Sequence, residues 1–277
     1  IQMSAQFGGD QYIAGQKEPV IDMPTRFVDF MRVLVPMAGD DTTPEGEQVN
    51  IYGNHVGSWN FAATAYLNQW KVKIYYEHYF DDHSQMFFQY GRWKDGHIGL
   101  EITFPKNRFI DTFVYEGLGT KDQTGPMLYD SFWGEFEEQI SAKDNYYNHY
   151  LYQGWQHWGM GIGNPLLPGP IYNKNGQITF ISNRVLAHHI GFCGSPCQSL
   201  SYRMLLSYSR HWGTYDNPLN EIKKQFNSLF EVTYAPQQLK GWSFTVSGAM
   251  DRGSMLGNNY GGMLVIRKQG IIKSGNK

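Results

Sequence analysis

The chain has 277 residues and a formal net charge of -2, and its lysines and arginines form no basic run, which excludes a nucleic-acid-binding surface. Hydrophobic residues make up 41% and aromatic residues 16% of the chain, yet mean hydropathy is -0.47. That combination favours strands that alternate apolar and polar side chains. No apolar run approaches the roughly 18 residues that a membrane helix needs, so a membrane-spanning form would have to be a β-barrel.

Alternation with a period of two dominates the chain, as in 97–104, and predicts strands. An additional strand could lie at 1–9, and the segment 26–35 could be a short helix or a strand. The predicted strands are 57–67, 70–80, 84–92, 97–104, 108–118, 178–192, 199–212, 227–235, 240–250 and 259–268.

The connections give a second criterion, because outer-membrane barrels have short periplasmic turns and long external loops. If the last strand ends in the periplasm, 119–177, 213–226 and 251–258 are external, while 193–198 and 236–239 are periplasmic. The same count places the two-residue turn Asn68–Gln69 outside, which does not fit the rule.

These patterns predict an all-β fold, an antiparallel transmembrane outer-membrane β-barrel with about ten to twelve strands in this chain. A soluble β-sandwich shows the same alternation, but its strands usually have about five or six residues. We expect residues 1–277 to form a single barrel domain or its C-terminal portion, with 119–177 as a long external loop region.

The two cysteines, Cys193 and Cys197, lie in the stretch FCGSPC. They could form a disulfide that closes a tight turn, which would require an oxidising compartment such as the periplasm. Two unpaired thiols are the alternative. Two ligands at this spacing make no recognisable metal site, so no metal is expected.

A family resemblance becomes specific at 144–173, DNYYNHYLYQGWQHWGMGIGNPLLPGPIYN, where an Asn/Tyr-rich stretch precedes Gly-Trp and an IG-x-P-L run. This segment resembles the Bacteroidetes branch of the Wzi-type capsule assembly family. Further matching pieces, in the family's order, are QFGGDQY at 6–12, RFVDFMRVL at 26–34, GNHVGSWNF at 53–61, NRVLAHHIGF at 183–192, YRMLLSYSRHWGTYDNP at 202–218 and LKGWSFTVSGAMDRGSMLGNNYGGMLVIRKQG at 239–270.

The resemblance covers nearly the whole chain but only the later part of a full-length member, so earlier barrel strands are expected to be missing. It implies an outer-membrane barrel whose loops face the cell exterior and bind or organise capsular polysaccharide, lectin-like and without catalysis. Its partners would be capsular polysaccharide and outer-membrane lipid. A structural subunit that contacts another outer-membrane protein, or an outer-membrane enzyme acting on glycan or lipid, are the alternatives. The CGSPC turn departs from the family pattern.

Three groups of side chains could bind glycan. Aromatic rings pack on sugar rings, and amide, carboxylate and imidazole groups hydrogen-bond to hydroxyls, although the same aromatics could instead form a membrane girdle or pack a plug. Arginines on predicted strands could bind acidic sugars or make internal ion pairs. The residues are Asp144, Tyr146, Tyr147, Asn148, His149, Trp155, His157 and Trp158 in the first group, Arg184 and Arg210 with Arg203, His188 and His189 in the second, and Asp251 and Arg252 in a predicted loop in the third.

No catalytic residue is expected, because the chain lacks a G-x-S-x-G motif, a Walker loop and a catalytic cysteine signature. Carboxylates are plentiful, as in Glu135, Glu137 and Glu138, so a glycosidase stays open from sequence alone. His188 and His189 should point to opposite faces of a strand, which argues against shared metal binding. No cofactor is expected.

Overall fold

The fold is built mainly from antiparallel strands. A computed structural model describes residues 1–49, 51–81, 86, 95–107, 109–123 and 144–270. The elements are β1 (Gln2–Gln6), β2 (Gly9–Gln11), β3 (Ile21–Met23), α1 (Phe27–Leu34), α2 (Glu45–Val49), β4 (Asn54–Leu67), β5 (Trp70–Asp81), β6 (Gly96–Thr103), β7 (Thr112–Gly119), β8 (Gln156–His157), β9 (Met160–Gly161), β10 (Val185–Cys197), β11 (Leu200–Gly213), β12 (Pro218–Tyr234), β13 (Trp242–Gly253) and β14 (Asn259–Lys268).

One ten-stranded sheet dominates, in the order β1-β4-β5-β6-β7-β10-β11-β12-β13-β14, and two small hairpins, β2-β3 and β8-β9, accompany it. Every pair in the sheet is antiparallel. Strands β4 and β5 pair without interruption over the whole of 56–81. The all-β, antiparallel part of the sequence prediction is therefore confirmed. Within the described residues, β1 and β14 are the two outer strands of this sheet.

The ambiguous segment 26–35 contains a helix, α1. The Asp29 carboxylate accepts a hydrogen bond from the backbone N–H of Arg26 at 2.9 Å, which satisfies a donor at the helix start. The same carboxylate is buried and bridges Arg26 and Arg32. Of the helices in the described part of the chain, none has the length and apolar character needed to cross a membrane.

Two predicted strands differ most from the bounds in the structure. Residues 178–184 are not part of β10, because the backbone N–H of Phe180 donates to the Asn148 side chain instead of to a neighbouring strand. The loop expected at 213–226 shrinks to 214–217, since β12 begins at Pro218. The first half of β12 carries charged residues, so the hydropathy pattern does not indicate a strand there. The predicted strand 84–92 lies outside the described residues, apart from position 86.

The longest connections lie at one end of the sheet, which we call the long-connection end, and we call the opposite end the short-turn end. Because β5 and β6 are antiparallel neighbours, the link 82–95 joins them at the end that also carries 120–184, 214–217 and 254–258. The turn at Asn68–Gln69 lies at the opposite end, together with 104–111, 198–199 and 235–241. The end of the sheet expected for that turn was wrong, because the count placed one strand between β5 and β6, whereas these two strands are direct antiparallel neighbours.

The sheet has one apolar and one polar face. Residues paired across strands share a face, so the register connects Val72 with Ile102, Phe113, Phe192 and Met204 in one apolar row. Many side chains of this face are exposed, including Phe61, Leu67, Trp70, Ile74, Ile98, Ile190, Tyr208, Phe230, Tyr234, Trp242, Val246, Tyr260, Leu264 and Ile266. One row of the polar face consists of Glu116, His189, Ser207, Asn227 and Asp251.

The core lies on the polar side. Leu167 and Phe180, from the connection between β7 and β10, pack against Leu118, Val185 and Ala187 of the sheet. We call residues 144–184 of this connection the inner segment. A second cluster at the long-connection end joins β1, α1 and Tyr52.

Candidate functional site

The structure divides the predicted glycan-binding cluster at 144–158 into an inner and an outer group. Tyr146 and Trp155 are only 4% and 8% exposed. The Tyr146 hydroxyl donates to Asp95 at 3.1 Å, and the backbone N–H of Tyr147 donates to Asp81 at 2.8 Å. These contacts attach the inner segment to the polar side of the sheet, which favours packing over ligand binding for this group.

Asn148 fixes the fold of the inner segment. Its side-chain amide donates to the Phe180 carbonyl at 2.9 Å, and its amide oxygen accepts the Phe180 N–H at 2.8 Å. Asn183 adds a hydrogen bond from its side-chain amide to the Tyr146 carbonyl at 2.9 Å. Asp144 lies half-buried beside this group. These amide groups therefore have structural partners within the segment.

His149 contacts α2 in a largely buried position. Its Nε2 lies 3.7 Å from the Glu47 Oε1, and its ring stacks on Tyr150 at 4.9 Å between centroids. Burial lowers the pKa of His149 to about 4. Burial also raises the pKa of the Glu47 carboxyl, which accepts the Gly53 N–H at 2.6 Å. Burial therefore shifts the pKa of each group in the direction of its neutral form.

His149 should make this contact pH-dependent. A histidine whose folded pKa is depressed contributes stability that is full above its unfolded pKa of about 6.5 and is lost as pH falls toward 4. We expect a loss of about 3 kcal/mol across this window, part of which Glu47 offsets because its raised pKa acts in the opposite direction. Thermal unfolding of the wild type and of His149→Gln, each from pH 7 to 4.5, measures it. Identical pH slopes would contradict the assignment.

The outer group centres on Trp158, at the tip of the β8-β9 hairpin. Trp158 is 86% exposed. Its φ is 53° and that of Gly159 is 78°, so both residues have a positive φ. Two such residues in succession form the tight turn that suits a two-residue hairpin. The Gln156 side chain accepts the Gly159 N–H at 2.7 Å and supports the turn. A bulky residue with positive φ costs about 1–2 kcal/mol, so the backbone that carries this exposed ring is strained.

Further apolar side chains surround the tip. The Ile171 N–H donates to the Gly159 carbonyl at 2.9 Å, which brings Ile171 and Tyr172, both exposed, next to the hairpin. The ring of His157 lies edge-on to Trp158 with centroids 6.1 Å apart. We call His157, Trp158, Ile171 and Tyr172 the Trp158 surface. Ile171 and Tyr172 were missed from sequence, because a short 3-10 turn at 170–172, not periodicity, places them there.

The predicted cations occupy different environments. Arg203 pairs with Glu231 at 3.0 Å, which is the internal ion pair given above as the alternative. Arg184 lies just before β10, and Arg210 lies in β11 on the apolar face. His188 and His189 point to opposite faces, as predicted, toward Tyr115 and Ser207 respectively.

Asp251 and Arg252 are not in a loop, which corrects the sequence prediction. Both belong to β13, where they pair with Asn227 and Phe226 and therefore face opposite sides of the sheet. Asn227 donates to Asp251 at 2.7 Å on the polar face. The two side chains thus do not converge on one ligand.

The expected disulfide between Cys193 and Cys197 is also absent, and both thiols are free. The residues lie in one strand, β10, not in a tight turn. Four residues of extended strand span about 13 Å, whereas a disulfide needs Cα atoms within about 7 Å. The register irregularity between Gly194 and Cys197 does not bring the two thiols into bonding contact.

A cavity of about 610 Å³ lies between the polar face and the inner segment, lined in part by Tyr147 and Leu166. On its wall, His97 lies 3.7 Å from Glu77 and 3.5 Å from Glu116, on three adjacent strands. Ser58 donates to Glu77 at 2.6 Å. This network links β4 to β7 through polar contacts. Strand parity could have placed these residues on one face, but not beside each other.

No set of three or more His, Cys, Asp or Glu side chains in the described ranges could hold a metal ion. Glu135, Glu137 and Glu138 lie outside those ranges. A comparison of the chain with protein-family models, with curated proteins and with solved structures finds no match. The functional argument therefore depends on the geometry of the sheet and of the Trp158 surface.

Proposed function

We propose that this chain forms the wall of an outer-membrane β-barrel, or the later part of one, and binds capsular polysaccharide at the cell surface without catalytic turnover. The resemblance to the Wzi-type capsule assembly family motivates the identity of the glycan. The two-faced sheet supports the membrane location, and the Trp158 surface supports sugar binding.

The apolar face has the composition of a lipid-contacting surface. Aliphatic side chains such as Ile74 and Val246 occupy mid-strand positions, and both are exposed. Most of its aromatic rings lie nearer the strand ends, as membrane-interface side chains do. Tyr208 and Tyr260 lie toward the long connections, and Trp70, Phe113, Phe192, Tyr202, Tyr234 and Trp242 toward the short ones. Tyr76, Tyr115 and Phe226 lie near the middles of their strands.

The connections support an orientation. The three longest connections, 7–53, 82–95 and 120–184, lie at one end of the sheet, which also carries the short links 214–217 and 254–258. In outer-membrane barrels the long loops face the cell exterior. The connection 120–184 carries the Trp158 surface. This surface would then face the cell exterior, where capsular polysaccharide lies.

The observation that carries the glycan-binding proposal is the exposed ring of Trp158, held at positive φ on a braced hairpin. The turn backbone that carries this ring is already fixed, so it loses little conformational freedom when a sugar packs on the ring. The alternative partner is another outer-membrane protein, because exposed aromatic side chains also act as hot spots in protein interfaces.

Replacement of Trp158 by alanine should weaken capsular polysaccharide binding about tenfold, the loss expected for one aromatic contact, while the fold is retained. Binding of the detergent-solubilised protein to polysaccharide from its own source, measured by surface plasmon resonance, tests this. The matched control is Trp242→Ala, which removes a tryptophan from the apolar face at the short-turn end and should leave affinity unchanged. A folded wild type that binds no polysaccharide would reject the proposal and favour a protein partner.

A further inference from the structure

Three cations gather at the long-connection end of β7, β10 and β11. Lys121 Nζ and Arg210 Cζ lie 4.8 Å and 5.1 Å from the centre of the Trp212 ring. Arg184 Cζ lies 3.8 Å from the centre of the Tyr215 ring. The Arg184 Nε also donates to the Lys121 carbonyl at 3.3 Å, which connects the contacts around Tyr215 with those around Trp212. We call Lys121, Arg184 and Arg210 the basic cluster.

The basic cluster lies on the apolar side of the sheet. Arg210 pairs with Leu186, which pairs with Gly119, so these three positions share the face of Tyr208 and His188. Next along these strands, the Trp212 N–H donates to the Arg184 carbonyl at 3.0 Å, and the Arg184 N–H donates to the Gly213 carbonyl at 3.1 Å. The cluster therefore lies just beyond the outer aromatic residues of the apolar face.

The positive charge of the cluster has no ion-pair partner among the described residues. None of its three cations lies within 4.0 Å of a carboxylate among the described residues, whereas Arg203, Arg26 and Arg32 all have acidic partners. Cation–π contacts hold the side chains in place without neutralising them. Neighbouring like charges repel one another, so an anion that binds all three would relieve this repulsion.

We propose that the basic cluster binds the phosphate groups of an anionic lipid headgroup in the outer leaflet. The inference rests on the proposed membrane orientation, which places the cluster at headgroup depth, directly beyond the aromatic side chains. Arginine suits this ligand, because its planar guanidinium donates two hydrogen bonds to one phosphate. A phosphate-bearing lipid also offers acyl chains to the adjacent apolar face, which free phosphate does not.

The test uses the purified full chain in detergent, with bisphosphorylated lipid A as probe, its dephosphorylated form as the first comparison and inorganic phosphate as the second. Native mass spectrometry measures binding. The triple variant Lys121→Gln, Arg184→Gln, Arg210→Gln should lose on the order of a hundredfold in affinity for the phosphorylated lipid. The matched control, Lys240→Gln, Arg267→Gln, Lys268→Gln, removes the same charge at the short-turn end and should bind as the wild type does.

Two results would overturn the proposal. One is equal binding of phosphorylated and dephosphorylated lipid A, and the other is complete displacement of the lipid by millimolar inorganic phosphate, which would indicate a free-anion site. The single variant Arg210→Gln, at an exposed position, keeps the test valid if the triple variant does not fold. Polysaccharide binding by the triple variant reports separately on the Trp158 surface, so failure of one proposal is distinguishable from failure of the other.

Discussion

Replacement of Ile74 by lysine should destabilise the membrane-inserted protein by about 2–4 kcal/mol, the cost of a lysine on the lipid face near the bilayer midplane. Ile74 is 55% exposed at the middle of β5, between Ala63 and Leu100 on the apolar face. In water, an exposed isoleucine-to-lysine change usually alters stability by less than about 0.5 kcal/mol. Urea titration of folding into lipid vesicles measures the difference.

The control is Ala62→Lys. Ala62 is also exposed, but it pairs with Tyr75 on the polar face, so a lysine there should leave folding into vesicles unchanged. If both variants fold as stably as the wild type, or if the protein is stable without detergent or lipid, the apolar face does not contact a bilayer. The membrane proposal would then be wrong.

Truncation of Phe180 to alanine should cost about 3–5 kcal/mol, as is typical of large-to-small changes at buried aromatic positions. Phe180 is 1% exposed, and its ring lies edge-on to Tyr147 with centroids 5.1 Å apart. Gly161, at the base of the β8-β9 hairpin, also approaches this ring. We expect the inner segment to detach while the sheet persists. Hydrogen exchange resolved by peptide should be faster in the variant than in the wild type over 144–182, and should be unchanged in β11 and β12.

Ile178→Ala serves as the control, because Ile178 is exposed nearby in the same segment. Polysaccharide binding by Phe180→Ala gives a second measurement. If the inner segment holds the Trp158 surface in place, affinity should fall although Trp158 itself is unchanged. Unaltered exchange throughout 144–182 would show that Phe180 does not anchor the segment.

The strands could be predicted from sequence wherever apolar and polar residues alternate without interruption, because the two faces of the sheet differ in polarity. Strands β5, β6 and β11 were placed within a residue or two of their true bounds, since apolar residues such as Ile98 and Leu100 recur without interruption. Strand β12 was not, because Glu221, Lys223 and Lys224 extend it beyond the apolar part of the sheet. Hydrogen bonding with β11, not hydropathy, defines that half of the strand.

The candidate site was less predictable, because its composition does not reveal which aromatic side chains face inward. Trp155 and Trp158 are three residues apart in one segment, yet one is buried and the other exposed. The tight turn at Trp158 and Gly159 makes the difference, and a tryptophan at positive φ has no sequence signal. Lys121 was missed for a related reason, since its contact with Trp212 joins residues far apart in the chain.

The pairing of β7 with β10 has a consequence for how this protein can diversify. The two strands are joined residue by residue from Leu186 and Gly119 onward, although residues 120–184 separate them in the chain. In topological terms this connection, which we call the excursion, is the loop of a single hairpin. The entropic cost of closing a loop rises only slowly with its length. Related chains could therefore exchange the whole excursion, and with it the surface presented to the environment, without altering the register of any strand.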